Sequence, residues 1–485
     1  MAALARGRAR AGNRWLVLAI VCIAQFMVIL DATIVNVALP SIQHGLGFSA
    51  SSLQWVVNAY TLVFGGFLLL GGRASDLIGR QRLFLAGVAV FTIASAVNGV
   101  AQSSGMLVGG RALQGLGAAL VSPAALAIVT TTFKEGKERT QAMGVWSAIA
   151  AGGGAVGLVL GGLLTQTLSW RWVFFINLPI GIVAILLSLR YVPDAQAEDE
   201  PESADVAGAV TVTGGLLVLV YGIVKAQEYG WTSWKTIGLG LLAVALLALF
   251  TRIEARSKAP LIRLGIFRVR SLTASNGAML LVFSGMFAMF YFASIYVQEV
   301  LGYGPLKAGL AFLPFTAGIV VGAGLAQQLI RNLGVRTVVA IGLVLAICGE
   351  LLFTRLSVDG TYLGQLLPGI AVMSVGMGLT FVPLTLMATT NIAAEDAGLA
   401  SGLFNTSQQV GGALGLAILS TLAASRTSHL LGSHHARPDA LVSGFHVAFA
   451  VGAGLMAAGL VVMLALVRSR DVANVNAEEP AVVGV

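Results

Sequence analysis

The sequence predicts an all-α membrane protein with fourteen transmembrane helices, and three observations lead to that class. Of the 485 residues, 57% are hydrophobic and only 10% are charged, whereas a soluble globular protein carries about 25% charged residues. Apolar stretches long enough to cross a bilayer recur along the whole chain. Basic residues concentrate in every second connection between those stretches, as expected for a multi-pass membrane protein.

Fourteen stretches have the length and composition of a spanning helix. In chain order, and called segments 1 to 14, their predicted limits are 15–39, 53–72, 83–101, 106–130, 141–165, 172–191, 208–226, 235–252, 272–297, 306–330, 335–354, 361–387, 398–424 and 441–467. An even number of spans places both termini on the same side of the membrane.

The basic residues identify that side as the cytoplasm. Twenty-one lysines and arginines fall on the side of the termini, seven fall on the other side, and Arg111 lies inside a segment, which accounts for all 29. Orientation and contact with anionic lipid therefore explain the net charge of +8, and no nucleic-acid partner is predicted. The two cysteines, Cys22 and Cys348, lie in apolar stretches without metal-ligand spacing, so neither a metal site nor a cofactor is predicted.

Segment 1 contains one acidic residue, Asp31, which follows sixteen residues without a formal charge. An ionised Asp near the centre of a spanning helix costs about 2.5–3.5 kcal/mol on insertion scales, so such residues are usually functional. Loss of hydration favours the protonated form of a carboxyl group. The sequence therefore predicts that Asp31 binds and releases a proton.

An internal repeat divides the chain. Glycines, an aromatic residue, an alanine and a leucine of segment 5 recur in segment 13 at a constant offset of 258 residues. Paired halves around a midplane site are the common architecture of alternating-access carriers. The predicted parts are an N-terminal six-helix half, an acidic cytoplasmic linker, two inserted helices, a basic cytoplasmic loop, a C-terminal six-helix half and a cytoplasmic tail. Their limits are 1–192, 193–207, 208–252, 253–271, 272–467 and 468–485.

A glycine- and arginine-rich stretch joins segments 2 and 3. Glycines let a short turn pass close to its neighbours, and Asp76 is suited to cap the next helix or to pair with an arginine. A tight turn with positive-inside charge is the simpler alternative, although it does not explain the acid. The residues assigned here to conformational gating are Gly72, Arg73, Asp76, Gly79, Arg80 and Arg82.

Segments 4 and 5 carry two further motifs. Arg111 needs a partner inside the membrane, and Asp31 is the acid available in this half; the alternative is that the arginine extends to an interface. Gln114 lies one turn further along the same face. In segment 5, small residues at helical spacing form a face that allows close helix packing or sliding. These gating candidates are Gly153, Gly157, Gly161 and Gly162.

Five stretches together resemble the major facilitator superfamily, in its fourteen-helix drug:proton antiporter branch. They are residues 30–40, 72–82, 111–115, 144–162 and 170–181. The first resembles the branch's helix 1 motif, the third its proton-transfer motif, and the fourth its antiporter motif at every glycine. Two positions depart from the pattern: Leu158 stands where the antiporter motif has proline, and Leu77 where many relatives have a basic residue.

The resemblance implies the major facilitator fold, with two six-helix halves plus two inserted helices, and a cavity lined by segments 1, 4, 9 and 12. It implies proton coupling by Asp31 and Arg111. The candidate residues of the substrate cavity are Gln25, Gln114, Phe283, Phe287, Phe290 and Tyr291. Packing or lipid contact is the alternative for the aromatic stripe. Glu350 is expected to be exposed near the outer interface, and a second proton or cation site is its alternative role.

The predicted function is proton-coupled efflux of lipophilic or cationic drugs or antibiotics by alternating access. The protein is expected to be a monomer in the bacterial cytoplasmic membrane, with amphipathic small molecules, protons and the lipid bilayer as its partners. A proton-coupled importer of the same fold, a transporter-like sensor and a channel remain as alternatives. No enzyme is predicted, because the sequence contains neither a catalytic cluster near an interface nor a phosphate-binding G-x4-G-K-[ST] motif.

Overall fold

A computed structural model describes residues 14–49, 52–133, 136–192, 205–257, 260–389, 392 and 396–467. The described residues form α-helices joined by short connections. In chain order these helices are α1 (Arg14–Leu46), α2 (Trp55–Ile78), α3 (Arg80–Gly99), α4 (Ser104–Thr132), α5 (Lys137–Thr167), α6 (Trp172–Phe175), α7 (Asn177–Tyr191), α8 (Val206–Tyr229), α9 (Trp234–Arg256), α10 (Arg270–Ile295), α11 (Pro305–Ala311), α12 (Leu313–Leu333), α13 (Val335–Leu352), α14 (Leu367–Thr389), α15 (Ala397–Gly432) and α16 (Arg437–Leu466).

Thirteen helical stretches of the described chain are long and apolar enough to cross a membrane. Two of them combine a short helix with the next one, α6 with α7 and α11 with α12. They coincide with all predicted segments except segment 5, where the structure has the 31-residue helix α5. The all-α, multi-pass membrane class is therefore confirmed, and the exact count of fourteen spans stays a prediction.

The predicted connection between segments 2 and 3 is almost entirely helical. Helix α2 continues to Ile78, and Gly79 is the single residue before α3 begins at Arg80. Gly79 has φ of 100°, a conformation that L-residues with a side chain rarely adopt. The polar residues of this motif extend the helix beyond the apolar stretch instead of forming a loop.

The same glycine positions join equivalent helices in the two halves. A Cβ atom at Gly157 of α5 would lie 2.0 Å from the hydroxyl of Thr33 in α1. At Gly415 of α15, 258 residues later, it would lie 2.2 Å from the Cα of Ser284 in α10. Helix α5 therefore packs on α1 as α15 packs on α10, because glycine allows both pairs of backbones to approach closely.

The inserted helices lie at the periphery. Gly66 of α2 packs directly against Thr213 of α8, whereas α9 exposes large apolar side chains such as Leu241 and Val244. Such an apolar exposed face is expected where lipid is the solvent. Helices α8 and α9 thus flank the two halves without entering the space between α1 and α10.

The two halves contact each other at the ends of α1 and α5 that the sequence predicts to lie outside. Gln298, which follows α10, donates a 3.0 Å hydrogen bond to the carbonyl oxygen of Val37. The side chain of Gln166 at the end of α5 accepts a 3.1 Å hydrogen bond from the backbone of Leu306 in α11. Nearby, a Cβ atom at Gly162 would lie 2.5 Å from the carbonyl oxygen of Pro305. The structure is therefore closed between the halves at its predicted outer end.

Candidate functional site

Asp31 lies in the interior of the N-terminal half and is completely buried. Its carboxylate accepts hydrogen bonds from three side chains on two other helices. These are Arg111 Nη1, Gln114 Nε2 at 2.6 Å, and Asn177 Nδ2 at 3.0 Å. A buried carboxylate is stable only with such a set of donors, because each missing donor leaves a desolvated charge.

Arg111 is the counter-charge, and its guanidinium is fixed on several sides. Besides the bond to Asp31, its Nε donates to the carbonyl oxygen of Val56 at 2.9 Å, and Nη1 donates to Gln114 Oε1 at 2.8 Å. The guanidinium carbon lies 4.3 Å from the ring centroid of Tyr60. Only 1% of Arg111 is exposed, so the alternative in which it extends to an interface is wrong.

Small polar side chains extend this arrangement across the half. Gln114 Nε2 also donates to Ser95 Oγ at 2.8 Å, and its Oε1 accepts from Asn98 Nδ2 at 2.8 Å. Asn177 lies within 3.4 Å of Ser95 Oγ. We call these residues, together with Asp31 and Arg111, the N-half polar cluster; it joins α1, α3, α4 and α7. Sequence reasoning identified three of its members and missed Ser95, Asn98 and Asn177.

The N-half polar cluster is closed to solvent in this structure. Gln114, predicted to line the substrate cavity, is fully buried inside the N-terminal half. Asp31 likewise faces α4 and α7 and not an open space between the halves. The contact between Asp31 and Arg111 agrees with the sequence prediction, but a cavity-lining position of Gln114 is not what this conformation shows.

Helix α5 connects the surroundings of Asp31 to the C-terminal half. One face of α5 contacts α1 on either side of Asp31. A Cβ atom at Gly157 would lie 3.1 Å from the carbonyl oxygen of Leu30, and a Cβ atom at Gly161 would lie 2.6 Å from the carbonyl oxygen of Ile34. The adjacent face contacts α11, where the carbonyl oxygen of Leu158 fits against Gly309. A shift of α1 at Asp31 would therefore act directly on a contact between the halves.

The stretch predicted for gating, which spans the end of α2 and the start of α3, contributes packing and a helix cap. A Cβ atom at Gly71, which was not among the predicted gating residues, would lie 2.0 Å from the carbonyl oxygen of Ala119, whereas Gly72 has more room. Gln81 donates hydrogen bonds of 3.0 and 2.9 Å to the carbonyl oxygens of Ser188 and Val192, and so caps the C-terminal end of α7. The side chain of Asp76 lies outside the described part of the structure.

The predicted aromatic stripe of segment 9 divides into two clusters. Phe283 stacks with Phe287 at 6.0 Å and with Phe381 of α14 at 6.5 Å between ring centroids. Phe290 instead contacts two phenylalanines near the start of α12, at 5.7 and 4.7 Å. Tyr291 is buried. Packing thus accounts for the stripe in this conformation, and contact with substrate stays a prediction.

Gln25 and Phe26 lie on α1 between Asp31 and the predicted cytoplasmic end of that helix. The Oε1 atom of Gln25 is buried without a hydrogen-bond donor among the described residues. An apolar groove of about 370 Å³ lies between α1 and α5 in the predicted cytoplasmic half, and Phe26, the residue after Gln25, is one of its lining residues. Its lining residues are Trp15, Leu18, Ala19, Cys22, Ile23, Phe26, Val145 and Ile149.

The expected exposure of Glu350 is wrong. Helix α13 ends at Leu352, and Arg355, five residues beyond the acid, is exposed. Glu350 itself is fully buried within the C-terminal half. Depth near the end of a span does not decide exposure, because the face of the helix determines whether a side chain meets lipid, water or the interior.

Comparison with known proteins defines the family. A family model described as Major Facilitator Superfamily matches residues 21–416. The chain belongs to the major facilitator superfamily. The resemblance inferred from the five motifs is thereby confirmed at the level of the superfamily, whose fold accounts for the paired packing of α1 with α5 and of α10 with α15.

Several curated members of the superfamily are similar over most of the chain. The puromycin resistance protein pur8 of Streptomyces alboniger is 40% identical over 465 residues, covering 94% of this chain and 92% of its own. The cephamycin export protein CmcT of Amycolatopsis lactamdurans is 40% identical over 441 residues, covering 90% of each. The multidrug resistance protein Stp of Mycobacterium tuberculosis is 36% identical, covering 85% of this chain and 77% of its own.

Solved structures of other superfamily transporters share the fold. A bacterial homolog of the human lysosomal transporter Spinster, in an inward-facing and unoccupied conformation, superposes with a TM-score of 0.61 at 17% identity, covering 96% of this chain and 98% of the other. The human organic anion transporter MFSD10 gives the same TM-score at 17% identity, covering 93% and 100%. At this level of identity the likeness concerns the fold alone.

Proposed function

We propose that this protein exports amphipathic drugs or antibiotics from the bacterial cytoplasm in exchange for protons, with both termini in the cytoplasm. The relatives named for puromycin resistance, cephamycin export and multidrug resistance support the export of antibiotics. The predominance of basic residues in the connections on the side of the termini supports the orientation.

The single observation that carries proton coupling is the enclosed pair of Asp31 and Arg111. Inside an apolar bundle, the Asp31 carboxylate accepts hydrogen bonds from the arginine and from two side-chain amides. Protonation removes the attraction to Arg111, which keeps its bonds to Val56 and Gln114. The proton therefore weakens the link between α1 and α4, while the guanidinium keeps two neutral hydrogen-bond acceptors.

The path from Asp31 to the other half follows α5. Leu30 and Ile34, on either side of the acid, press against the glycine face of α5, and the adjacent face of that helix contacts α11. In the proposed cycle the halves separate at the outer end, substrate leaves, and Asp31 takes up a proton from outside. After the return to the state closed outside, Asp31 releases the proton inward and binds Arg111 again.

The apolar groove between α1 and α5 supports an amphipathic substrate. Apolar pockets with few polar groups bind lipophilic molecules through burial of apolar surface, and the residues that line this groove are almost all apolar. Entry through this groove would place the substrate between α1 and α5. Movement of one charge across 100 mV is worth about 2.3 kcal/mol, which suffices to bias the direction of the cycle.

The decisive test uses Asp31→Asn in membrane vesicles of known orientation, with ethidium as the fluorescent probe. Asn preserves the shape and accepts a hydrogen bond from Arg111, but it does not ionise, so ethidium movement driven by a pH gradient should be abolished. Glu228→Gln, which removes an exposed acid, is the matched control and should behave as wild type. Retained pH-driven movement in Asp31→Asn would refute the assignment, and movement in the inward direction would identify an importer.

A further inference from the structure

Glu350 lies in the C-terminal half and has no counter-charge among the described residues. The residue is fully buried, and neither of its carboxyl oxygens has a hydrogen-bond partner within the described part of the chain. This differs sharply from Asp31, which accepts from three donors that include Arg111. An unpaired, unsolvated carboxylate is costly enough that such a group normally carries a proton instead.

The internal repeat aligns Glu350 with a residue of the N-half polar cluster. Gly79 and Gly334 immediately precede α3 and α13, lie 255 residues apart, and both have positive φ. Gly87 and Gly342, also 255 residues apart, both face the following helix of their own half. At this same offset the counterpart of Glu350 is Ser95, a member of the cluster around Asp31.

The surroundings of Glu350 leave space for its carboxyl group. A Cβ atom at Gly452 of α16 would lie 2.9 Å from Glu350 Oε1. The same atom would lie 3.5 Å from the Cα of Gly285 in α10, and also 3.5 Å from the side chain of Leu419 in α15. The carboxyl group is thus located where three helices meet, at a glycine. A larger side chain at Gly452 would fill that space.

The charged and titratable groups on the neighbouring helices do not compensate Glu350. On the described helices α10, α13, α15 and α16, and in the turns that follow α10 and α13, they are Arg270, Tyr291, Tyr296, Glu299, Tyr303, Arg336, Cys348, Arg355, Asp359, Tyr362, Arg426, His429, Arg437, Asp439 and His446. Eight of these are exposed; the other seven are Tyr291, Tyr296, Glu299, Tyr303, Arg336, Tyr362 and His446. The only basic groups among those seven are Arg336 and His446. Arg336 lies fourteen residues from Glu350 on α13, roughly 21 Å along the axis, and donates to the carbonyl oxygen of Leu464.

His446 lies between Glu350 and the predicted outer face. It precedes Gly452 by six residues on α16, which corresponds to roughly 9 Å along the helix axis. Its Nε2 atom lies 2.7 Å from the carbonyl oxygen of Leu356. Because a carbonyl only accepts, Nε2 carries the hydrogen, and Nδ1 remains the site where the ring takes up a proton.

We propose that Glu350 is a second proton-binding site, located in the C-terminal half and loaded from the outer face through His446. This inference rests on the proposed proton-coupled export. In the conformation closed outside, the acid retains its proton in a dry site; movement of α10 against α16 at Gly285 and Gly452 gives water access and permits exchange. The N-terminal half then exchanges a proton at an arginine-paired acid, and the C-terminal half at an unpaired one.

The test measures how many protons are exchanged for each ethidium ion, using the purified full-length protein in proteoliposomes. The pH gradient that stops ethidium flux gives this ratio. Glu350→Gln imitates the neutral acid and should exchange one proton fewer, so its steady-state ethidium gradient should be about tenfold lower per pH unit, since one pH unit corresponds to one decade per proton. The exposed-acid variant Glu228→Gln should keep the wild-type ratio, as should Glu350→Asp.

The outcomes separate this inference from the proposed function. An unchanged ratio in Glu350→Gln, with Asp31→Asn uncoupled, would overturn the second site alone. Absence of pH-driven flux in the wild type would overturn both. His446→Gln, which still donates to Leu356 but carries no proton, should slow exchange without changing the ratio; a wild-type rate would overturn the loading route.

A second measurement does not depend on the folding of a variant. Dicyclohexylcarbodiimide, an apolar reagent for protonated carboxyl groups, is added to wild-type membranes at several external pH values, and modified peptides are mapped by mass spectrometry. Modification of Glu350 that falls as external pH rises would support a site in exchange with the outside. Modification that is absent, or that is the same at every pH, would overturn the inference.

Discussion

Ser294 of α10 donates a 2.9 Å hydrogen bond to the carbonyl oxygen of Asn36 in α1. In an uninterrupted helix that oxygen would accept from the backbone N–H four residues later, but residue 40 is Pro40, which has no N–H. The proline therefore leaves an acceptor that the other half of the protein satisfies. This bond exists only while the halves are in contact at their predicted outer end, so it favours the closed arrangement.

Ser294→Ala should weaken closure at this end. A hydrogen bond of this kind contributes about 0.5–1.5 kcal/mol net, so the population closed outside should fall by roughly two- to tenfold relative to the open one. Distances between spin labels at the predicted outer ends of α1 and α10, measured by electron paramagnetic resonance, report that population. Ser374→Ala is the matched control, because Ser374 donates within its own helix to Ala371; equal shifts in both variants would contradict the prediction.

Pro40→Ala tests whether the orphaned carbonyl is the cause. The alanine restores a backbone N–H that can donate to Asn36, so removal of the Ser294 hydroxyl should matter less in this background than in the wild type. A double-mutant cycle with the same spin-label distances measures the coupling. If Ser294→Ala shifts the population by the same factor in both backgrounds, the proline is not what makes this serine important.

Arg111→Lys should be strongly disruptive although it retains the charge. The guanidinium reaches Asp31, Gln114 and the carbonyl of Val56 at once and stacks on Tyr60, whereas an ammonium is a point charge with different geometry. Breaking a buried pair typically costs about 3–5 kcal/mol, and part of that loss is expected here. Thermal unfolding in detergent measures it, with transport of ethidium as the second readout.

The control for Arg111→Lys is the same substitution combined with Asp31→Asn. In the Asp31→Asn background residue 111 has no ionised acid to pair with, so Arg111→Lys should cost less thermal stability there than in the wild type. Purely additive losses in the double variant would show that Asp31 and Arg111 do not depend on each other.

The sequence was sufficient to predict the class, the family, the pairing of Asp31 with Arg111 and the glycine face of α5. Charges inside apolar spans are so rare that their pairing follows almost directly, and glycines at helical spacing predict close packing wherever they occur. Ser95 and Asn177 were missed because small polar residues are common in these helices, and only the rotation of each helix about its axis shows which of them meet.

Glu350 is a second case in which sequence reasoning did not place a polar side chain correctly. Its depth near the end of the span and the nearby Arg355 favoured an interfacial position, yet the acid faces Gly452 in the interior. One signal in the sequence could have corrected this: the 255-residue offset shared by Gly79 and Gly334 aligns it with Ser95. The enclosure of Gln114 could not be predicted, because it depends on the conformation and not on the sequence pattern alone.

Glu299→Gln should have only a small effect on closure. Glu299 contacts His44 of the other half at 3.0 Å and Arg437 at 3.9 Å, but the side chain of His44 is 63% exposed. Exposed ion pairs contribute about 0–1 kcal/mol, and salt screens them further. The spin-label distances should therefore change less than in Ser294→Ala and should converge with wild type at high salt. A larger, salt-independent shift would mean that this ion pair, and not the bond to Asn36, controls the outer end.

Two glycines of the same helix provide the sharpest test of the contact between α1 and α5. A Cβ atom at Gly161 would lie 2.6 Å from the carbonyl oxygen of Ile34, a backbone atom that no side-chain rotation can move away, whereas one at Gly152 would meet nothing within 4 Å. Both substitutions to alanine favour the helix itself by about 0.5–1 kcal/mol.

Gly152→Ala should therefore retain transport and be as stable as the wild type or slightly more so. Gly161→Ala must push α1 away from α5 beside Asp31, and overpacking of this kind costs about 1–3 kcal/mol. Thermal unfolding in detergent and pH-driven ethidium transport, measured on both variants, separate the two effects. Loss of transport in Gly161→Ala with wild-type thermal stability would mean that the alanine impairs movement more than packing, whereas wild-type behaviour in both assays would contradict a tight contact at this position.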